Sequence, residues 1–145
     1  MSFMIKETFS AVALLFSLSP APATVSTAAP APHCELQTGN TYLRTSGAKK
    51  VVGFKPKFTC SEPMDTISLT GQMFAIADGS PTARGDGPTS TNVGQVSVEN
   101  RRIGFSCSDT TTTTWFGRAT VSAVWHGIPQ AATVDSPQAT LSCGA

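Results

Sequence analysis

Histidine, tyrosine and charge are all scarce in this 145-residue sequence, which holds two histidines, one tyrosine and 13% charged residues. No H-E-x-x-H or G-x-S-x-G sequence occurs, which excludes the helical zinc-protease site and the serine-hydrolase elbow as local motifs. No two cysteines lie within four positions of each other, so the paired ligands of a structural zinc site are missing. EF-hand spacing and a glycine-rich phosphate loop are absent as well. No apolar run reaches the roughly 20 residues that a membrane-spanning helix needs. Helical periodicity is nearly absent, and period-two patterning takes its place.

The first third of the chain differs from the rest. Between Met1 and Pro32 the only charges are Lys6 and Glu7. Lys6 supplies a charged head, Phe9 to Leu18 an apolar run, and Ala21-Pro22-Ala23 an A-x-A site, with Thr27-Ala28-Ala29 as a second one. These are the parts of a secretory signal. The expected organisation is a signal peptide over 1–23, cut after 23 or 29, a Pro/Ala/Thr-rich linker over 24–33, and one domain over 34–145. Removal of the leader leaves no transmembrane segment and makes the protein extracellular.

Four cysteines follow, Cys34, Cys60, Cys107 and Cys143, an even number in a chain bound for an oxidising compartment. Three pairings exist. Cys34–Cys60 with Cys107–Cys143 is preferred because each bond closes a loop of a few tens of residues, worth about 3–4 kcal/mol in the chain-entropy model.

Several segments read as strands. In Val51 to Cys60, residues Val52, Phe54, Phe58 and Cys60 share one face and Lys55, Lys57 and Thr59 the other. Pro56 inside this run implies an edge or a bulge. Over Thr66 to Ala77 the apolar parity shifts from Ile67 and Leu69 to Phe74 and Ile76, which predicts a bulge at Gly71. Asn92 to Val98 and Arg102 to Cys107 form two more strands, joined by a turn at Glu99-Asn100-Arg101. Trp115 to Trp125 is the longest, with Trp115, Ala119, Val121, Ala123 and Trp125 inward. Gln138 to Cys143 closes the domain. Six or seven short strands predict an all-β, antiparallel sandwich of immunoglobulin-like type, with a small barrel as the alternative.

These residues also carry a resemblance. Cys34, Cys60-Ser61-Glu62-Pro63-Met64 with the Ile67/Leu69 strand, Cys107, Trp115-x-Gly117-x-Ala119 and Leu141-Ser142-Cys143 resemble small secreted four-cysteine proteins of unknown function that are common in actinobacteria. The resemblance implies fold and export rather than an activity.

Residues with chemical potential are few. His126 beside Trp125 reads as a turn residue before Gly127 and Pro129. Asp65, Asp78, Asp86, Glu99 and Asp109 fall in or beside turns, where aspartate before glycine is favoured. Asp78 to Thr91 shows no strand pattern and reads as a long loop open to proteases. Its Arg84-Gly85-Asp86 matches the integrin-binding tripeptide, a coincidence of composition unless an ordered, protruding loop presents it. Trp115 and Trp125 read as core, leaving Tyr42 and Phe116 as surface aromatics.

Charge distribution is more specific. Arg44, Lys49, Lys50, Lys55 and Lys57 lie between Leu36 and Ser61 with no acid among them, whereas Glu62 to Asn100 holds five acids and one arginine. The basic set is the candidate binding patch, although lysines also guard edge strands against aggregation. The expected function is a secreted, non-enzymatic binding module with no metal or cofactor. Its partner would be an anionic cell-envelope polymer or another protein, ahead of nucleic acid. The alternative is a secreted hydrolase or protease inhibitor.

Overall fold

The computed structural model describes residues 6–10 and 31–145. Both expected cut sites, after Ala23 and Ala29, lie outside them. The described residues form strands and no helix: β1 (Lys6–Ser10), β2 (His33–Gln37), β3 (Tyr42–Ser46), β4 (Lys49–Gly53), β5 (Lys57–Cys60), β6 (Thr66–Ala77), β7 (Ser80–Arg84), β8 (Thr89–Val93), β9 (Ser97–Glu99), β10 (Phe105–Ser106), β11 (Thr112–Trp125), β12 (Ile128–Asp135) and β13 (Ala139–Ser142). All their pairings are antiparallel. The sheets do not close into a barrel, so that alternative is set aside.

One large sheet is built on the two longest strands, β6 and β11. It runs β12-β11-β6-β7, with β13 also on β11 and β8 also on β6. Two smaller sheets, β1-β2-β5-β9 and β10-β4-β3, supply the rest. The inner face of β11 carries Trp115, Ala119, Val121, Ala123 and Trp125, all buried, as their alternation predicts. They pack in one core with Leu36, Val52 and Phe58 from the smaller sheets and with Phe54 from the segment that joins β4 to β5.

Pro56 marks a change of sheet rather than an edge or a bulge. The even positions Val52, Phe54, Phe58 and Cys60 are buried as expected. However, the chain leaves the β10-β4-β3 sheet at Gly53 and joins β2 and β9 from Lys57.

Gly71 carries no bulge toward β11, contrary to the sequence expectation. The β6–β11 register is unbroken from Thr114↔Ile76 to Val124↔Thr66. Met73 and Ala75 continue the buried row, while Phe74 and Ile76 stay on the outer face. Phe74 stacks there on Phe116, with ring centroids 5.2 Å apart. The glycine is required by crowding: a Cβ at Gly71 would overlap the Ile103 side chain, and one at Gly117 would overlap the Phe54 ring.

Four further expectations change. The Asp78–Thr91 segment contains β7 and the start of β8, both on β6. Asp78 and Gly79, with φ of 52° and 77°, form the two-residue connection into β7. The run Asn92 to Val98 is broken at Gly94 (φ 68°), so Val98 is buried but Val96 is 40% exposed. Arg102 to Cys107 keeps only Phe105–Ser106 as strand. Asn100, placed by its sequence in a surface turn, is fully buried. Its Nδ2 donates to the carbonyls of Leu69 (2.9 Å) and Pro88 (2.8 Å), and its Oδ1 accepts from the Arg102 amide.

Both expected disulfides are present. Cys34–Cys60 joins directly opposed residues of β2 and β5. Cys107–Cys143 ties the segment after β10 to the segment after β13.

Candidate functional site

The β3–β4 hairpin turns at Gly47, whose φ is 67°. That turn leaves Lys49 and Lys50 exposed at the start of β4. Strand β10 pairs with the other half of β4 through Phe105↔Val52 and Ser106↔Val51. Past Ser106 the ladder continues for one more bond, from the Cys107 amide to the Lys50 carbonyl (2.9 Å). The Cys107–Cys143 bond then pulls the chain toward the last residues. There the Ser108 amide donates to the Gly144 carbonyl (2.9 Å) and the Gly144 amide to the Asp109 carbonyl (3.0 Å).

This divergence leaves an open cleft of about 460 Å³ lined by Ala48, Lys49, Lys50, Ser106, Cys107, Ser108, Asp109 and Thr110. Its walls offer two ammonium groups, three hydroxyls and one carboxylate. Hydrogen bonds from Thr111 to the Asp109 carboxylate hold its pKa below the usual range, so it is ionised at neutral pH. A surface with this donor set can bind an anionic group through the lysines and neighbouring hydroxyls through Asp109.

The five-residue basic patch is divided. Lys49 and Lys50 line the cleft, whereas Lys55 lies past the end of β4 and is not part of its lining. The Lys55 ammonium lies 5.6 Å from the Tyr42 ring centroid. Lys57 sits opposite Glu99 in the β5–β9 ladder. Arg101 also donates to Glu99, and this hydrogen bond, with the nearby charges of Arg101, Lys57 and Lys55, lowers the Glu99 pKa. Arg44 is half-buried and reaches the Ile103 carbonyl through Nη2 (3.4 Å). The hydroxyls and Asp109 carry no charge pattern that marks them in the sequence. The β10–β4 ladder and the bond from the Cys107 amide to the Lys50 carbonyl bring them beside the lysines.

His126, with φ of 48°, forms the β11–β12 turn together with Gly127, whose amide donates to Asp65 Oδ2 (3.1 Å). Arg84-Gly85-Asp86 is tied down: Gln72 Nε2 donates to the carbonyls of Arg84 (2.7 Å) and Gly85 (3.1 Å). Among the described residues no cluster of side chains suits a metal ion, and no helix is long and apolar enough to cross a membrane.

A second feature lies on the inner face, at the other end of β11. Gln130 of β12 is 7% exposed, and neither its Nε2 nor its Oε1 has a hydrogen-bond partner. Trp125 Nε1 is also buried and unpartnered. Gln130 pairs with Ala123 and Trp125 with Ile128, which makes Gln130 and Trp125 diagonal neighbours. Unmet groups of this kind cost about 1–3 kcal/mol each.

No protein-family model matches the chain, and no curated protein or solved structure matches it. The four-cysteine resemblance therefore rests on the two disulfides alone.

Proposed function

We propose that this chain is an exported, non-enzymatic binding module that holds an anionic group of a cell-envelope polymer in the Lys49–Lys50 cleft. The observation that carries this reading is the pairing of two exposed lysines with a wall of hydroxyls that a disulfide fixes in place. Asp109 on the same wall favours a glycan bearing both acid and hydroxyl groups over a bare polyphosphate, because a carboxylate accepts from hydroxyls and repels anions. Two disulfides support an oxidising, extracellular location. The packing of the long sheet's inner face against two shorter sheets supports a sandwich of immunoglobulin-like type.

Co-sedimentation with purified envelope material over a salt series tests the reading. Lys49→Ser with Lys50→Ser is expected to weaken binding at least about tenfold, and Lys55→Ser with Lys57→Ser less than about twofold. No binding at low salt, or equal losses in the two variants, overturns it.

A further inference from the structure

Strand β12 bounds one side of the largest sheet: it pairs with β11, and among the described residues no main-chain bond is made on its other side. At eight residues it is the longest of the strands at a sheet edge. The hairpin that leads into it fixes which groups face outward. His126 and Gly127, both at positive φ, form a two-residue connection, so Trp125 and Ile128 are a hydrogen-bonded pair. Bonded and non-bonded pairs then alternate along the ladder. Gly117 and Ser136 fall in the bonded set, in agreement with the 2.8 Å bond from the Ser136 amide to the Gly117 carbonyl. The main-chain groups of Pro129, Ala131, Thr133 and Asp135 therefore point away from β11. Proline, which has no N–H, stands at a position where β11 needs none.

Exposed edges are commonly blunted by lysine, by a bulge or by a covering element. Strand β12 carries no lysine or arginine, and its register with β11 is unbroken from Arg118↔Asp135 to Trp125↔Ile128. Strands β1 and β2 pass near it but do not pair with it. Its centre, Ala131 and Ala132, is small enough for another backbone to approach. Its one charge, Asp135, is held by Arg118 through Nε (2.7 Å) and Nη2 (3.1 Å).

We infer that this edge pairs with β12 of a second copy of the chain, antiparallel about a two-fold axis at Ala132. In that register Ala131 lies opposite the partner's Thr133, and Pro129 opposite the partner's Asp135. The outward N–H groups of Ala131, Thr133 and Asp135 on each strand then all meet a carbonyl, and the two Asp135 carboxylates stand at opposite ends. A second copy fits because the strand complements itself: it is small at the axis, matched in its donors, and keeps its only charge away from its own copy. A lysine-rich or acidic strand would find no charge partner along it. The result is one continuous sheet across two molecules, independent of the lysine cleft and of export.

Sedimentation equilibrium of the full chain over a micromolar concentration series tests the inference, with hydrogen exchange read at each concentration. A monomer–dimer equilibrium is expected. The amides of Ala131, Thr133 and Asp135 should gain protection as the dimer forms, whereas those of Gln130, Ala132 and Val134, already bonded to β11, should not. Thr133→Pro removes an outward donor without breaking the β11 ladder and should weaken dimerisation at least about tenfold. Ala131→Lys puts a cation on the edge, keeps every backbone donor and should do the same, so the test stands even where the proline variant does not fold. Ala132→Cys sets two thiols face to face at the axis and should cross-link under mild oxidation, whereas Thr91→Cys on β8 should not. A chain that stays monomeric throughout the series, a dimer that survives Ala131→Lys, or an Ala132→Cys chain that does not cross-link overturns the inference.

Discussion

Two tryptophans on the same face of β11, Trp115 and Trp125, sit in unlike surroundings. Both are buried. Trp115 Nε1 donates to the Cys143 carbonyl at 2.8 Å, beside the Cys107–Cys143 bond. Near it, Ser136 joins Gly117 to the loop before β3: its Oγ accepts from the Gly117 amide (2.8 Å) and contacts Thr41 Oγ1 (2.9 Å). At the far end Trp125 Nε1 has no partner, and neither does the Gln130 amide. One end of the core is closed by bonds within the domain. The other is left with capacity that the domain itself does not use. A buried polar group that goes unmet weakens the fold, so the two ends of β11 contribute unequally to its stability.

The largest expected effect comes from breaking the closed end. Cys107→Ser with Cys143→Ser removes a bond spanning 36 residues, worth about 4 kcal/mol in the loop-entropy model. Removing Cys34–Cys60, which spans 26, is worth nearly as much by that model, about 3.5 kcal/mol. The two losses differ in kind, however. Cys34 and Cys60 are already held together by the β2–β5 ladder. The other bond is what brings the 106–110 segment to the C-terminal residues and shapes the cleft. Denaturant melts should therefore show comparable destabilisation in both double variants, and only the Cys107/Cys143 variant should also lose envelope binding under conditions where both remain folded.

A smaller effect separates the two tryptophans. Replacement by phenylalanine removes an N–H and some volume at either position. Trp115→Phe also strands the Cys143 carbonyl, whereas Trp125→Phe strands nothing. The gap between the two variants should be about 1–2 kcal/mol, with Trp115→Phe the less stable. Equal losses in urea melts would remove the contrast on which the two-ended view depends.

How far the sequence reveals this molecule follows the same divide between repeated pattern and single contact. The disulfide pairing, the inner face of β11 and the buried row Val52, Phe54, Phe58 and Cys60 are legible because alternation and loop length act over many residues. Gly71 misleads because a phase shift and a close contact leave the same trace, an apolar run interrupted by glycine, and here the cause is Ile103 packed against the backbone. Strand β12 is hidden by Pro129 at its start and by a His-Gly turn, a less familiar form of the positive-φ connection than the Asp-Gly before β7. Asn100 reads as a turn because asparagine favours turns. Its burial depends on the carbonyls of Leu69 and Pro88, which the fold alone brings near. The lysine patch divides for a similar reason: proximity in sequence places five cations on one stretch, but Pro56 sends the last part of it into another sheet.

That division can be tested at its acidic partner, where the smallest effect is expected. Glu99 receives a hydrogen bond from Arg101 and feels Arg101, Lys57 and Lys55, so its carboxyl stays ionised to lower pH than an ordinary glutamate. A carboxyl whose pKa is depressed in the folded state contributes stability above its unfolded pKa and loses it as pH falls through the folded value. Wild type should therefore lose more stability than Glu99→Gln between about pH 6 and about pH 3, and the two melting curves should converge at the acid end. Because the pair is solvent-facing, the difference should shrink further in high salt. If Lys55 and Lys57 are engaged by Glu99 in this way, Glu99→Gln also frees two cations and should strengthen their contribution to polymer binding. A Glu99→Gln variant whose binding still depends only on Lys49 and Lys50 would instead place the Lys55–Lys57 pair outside recognition altogether.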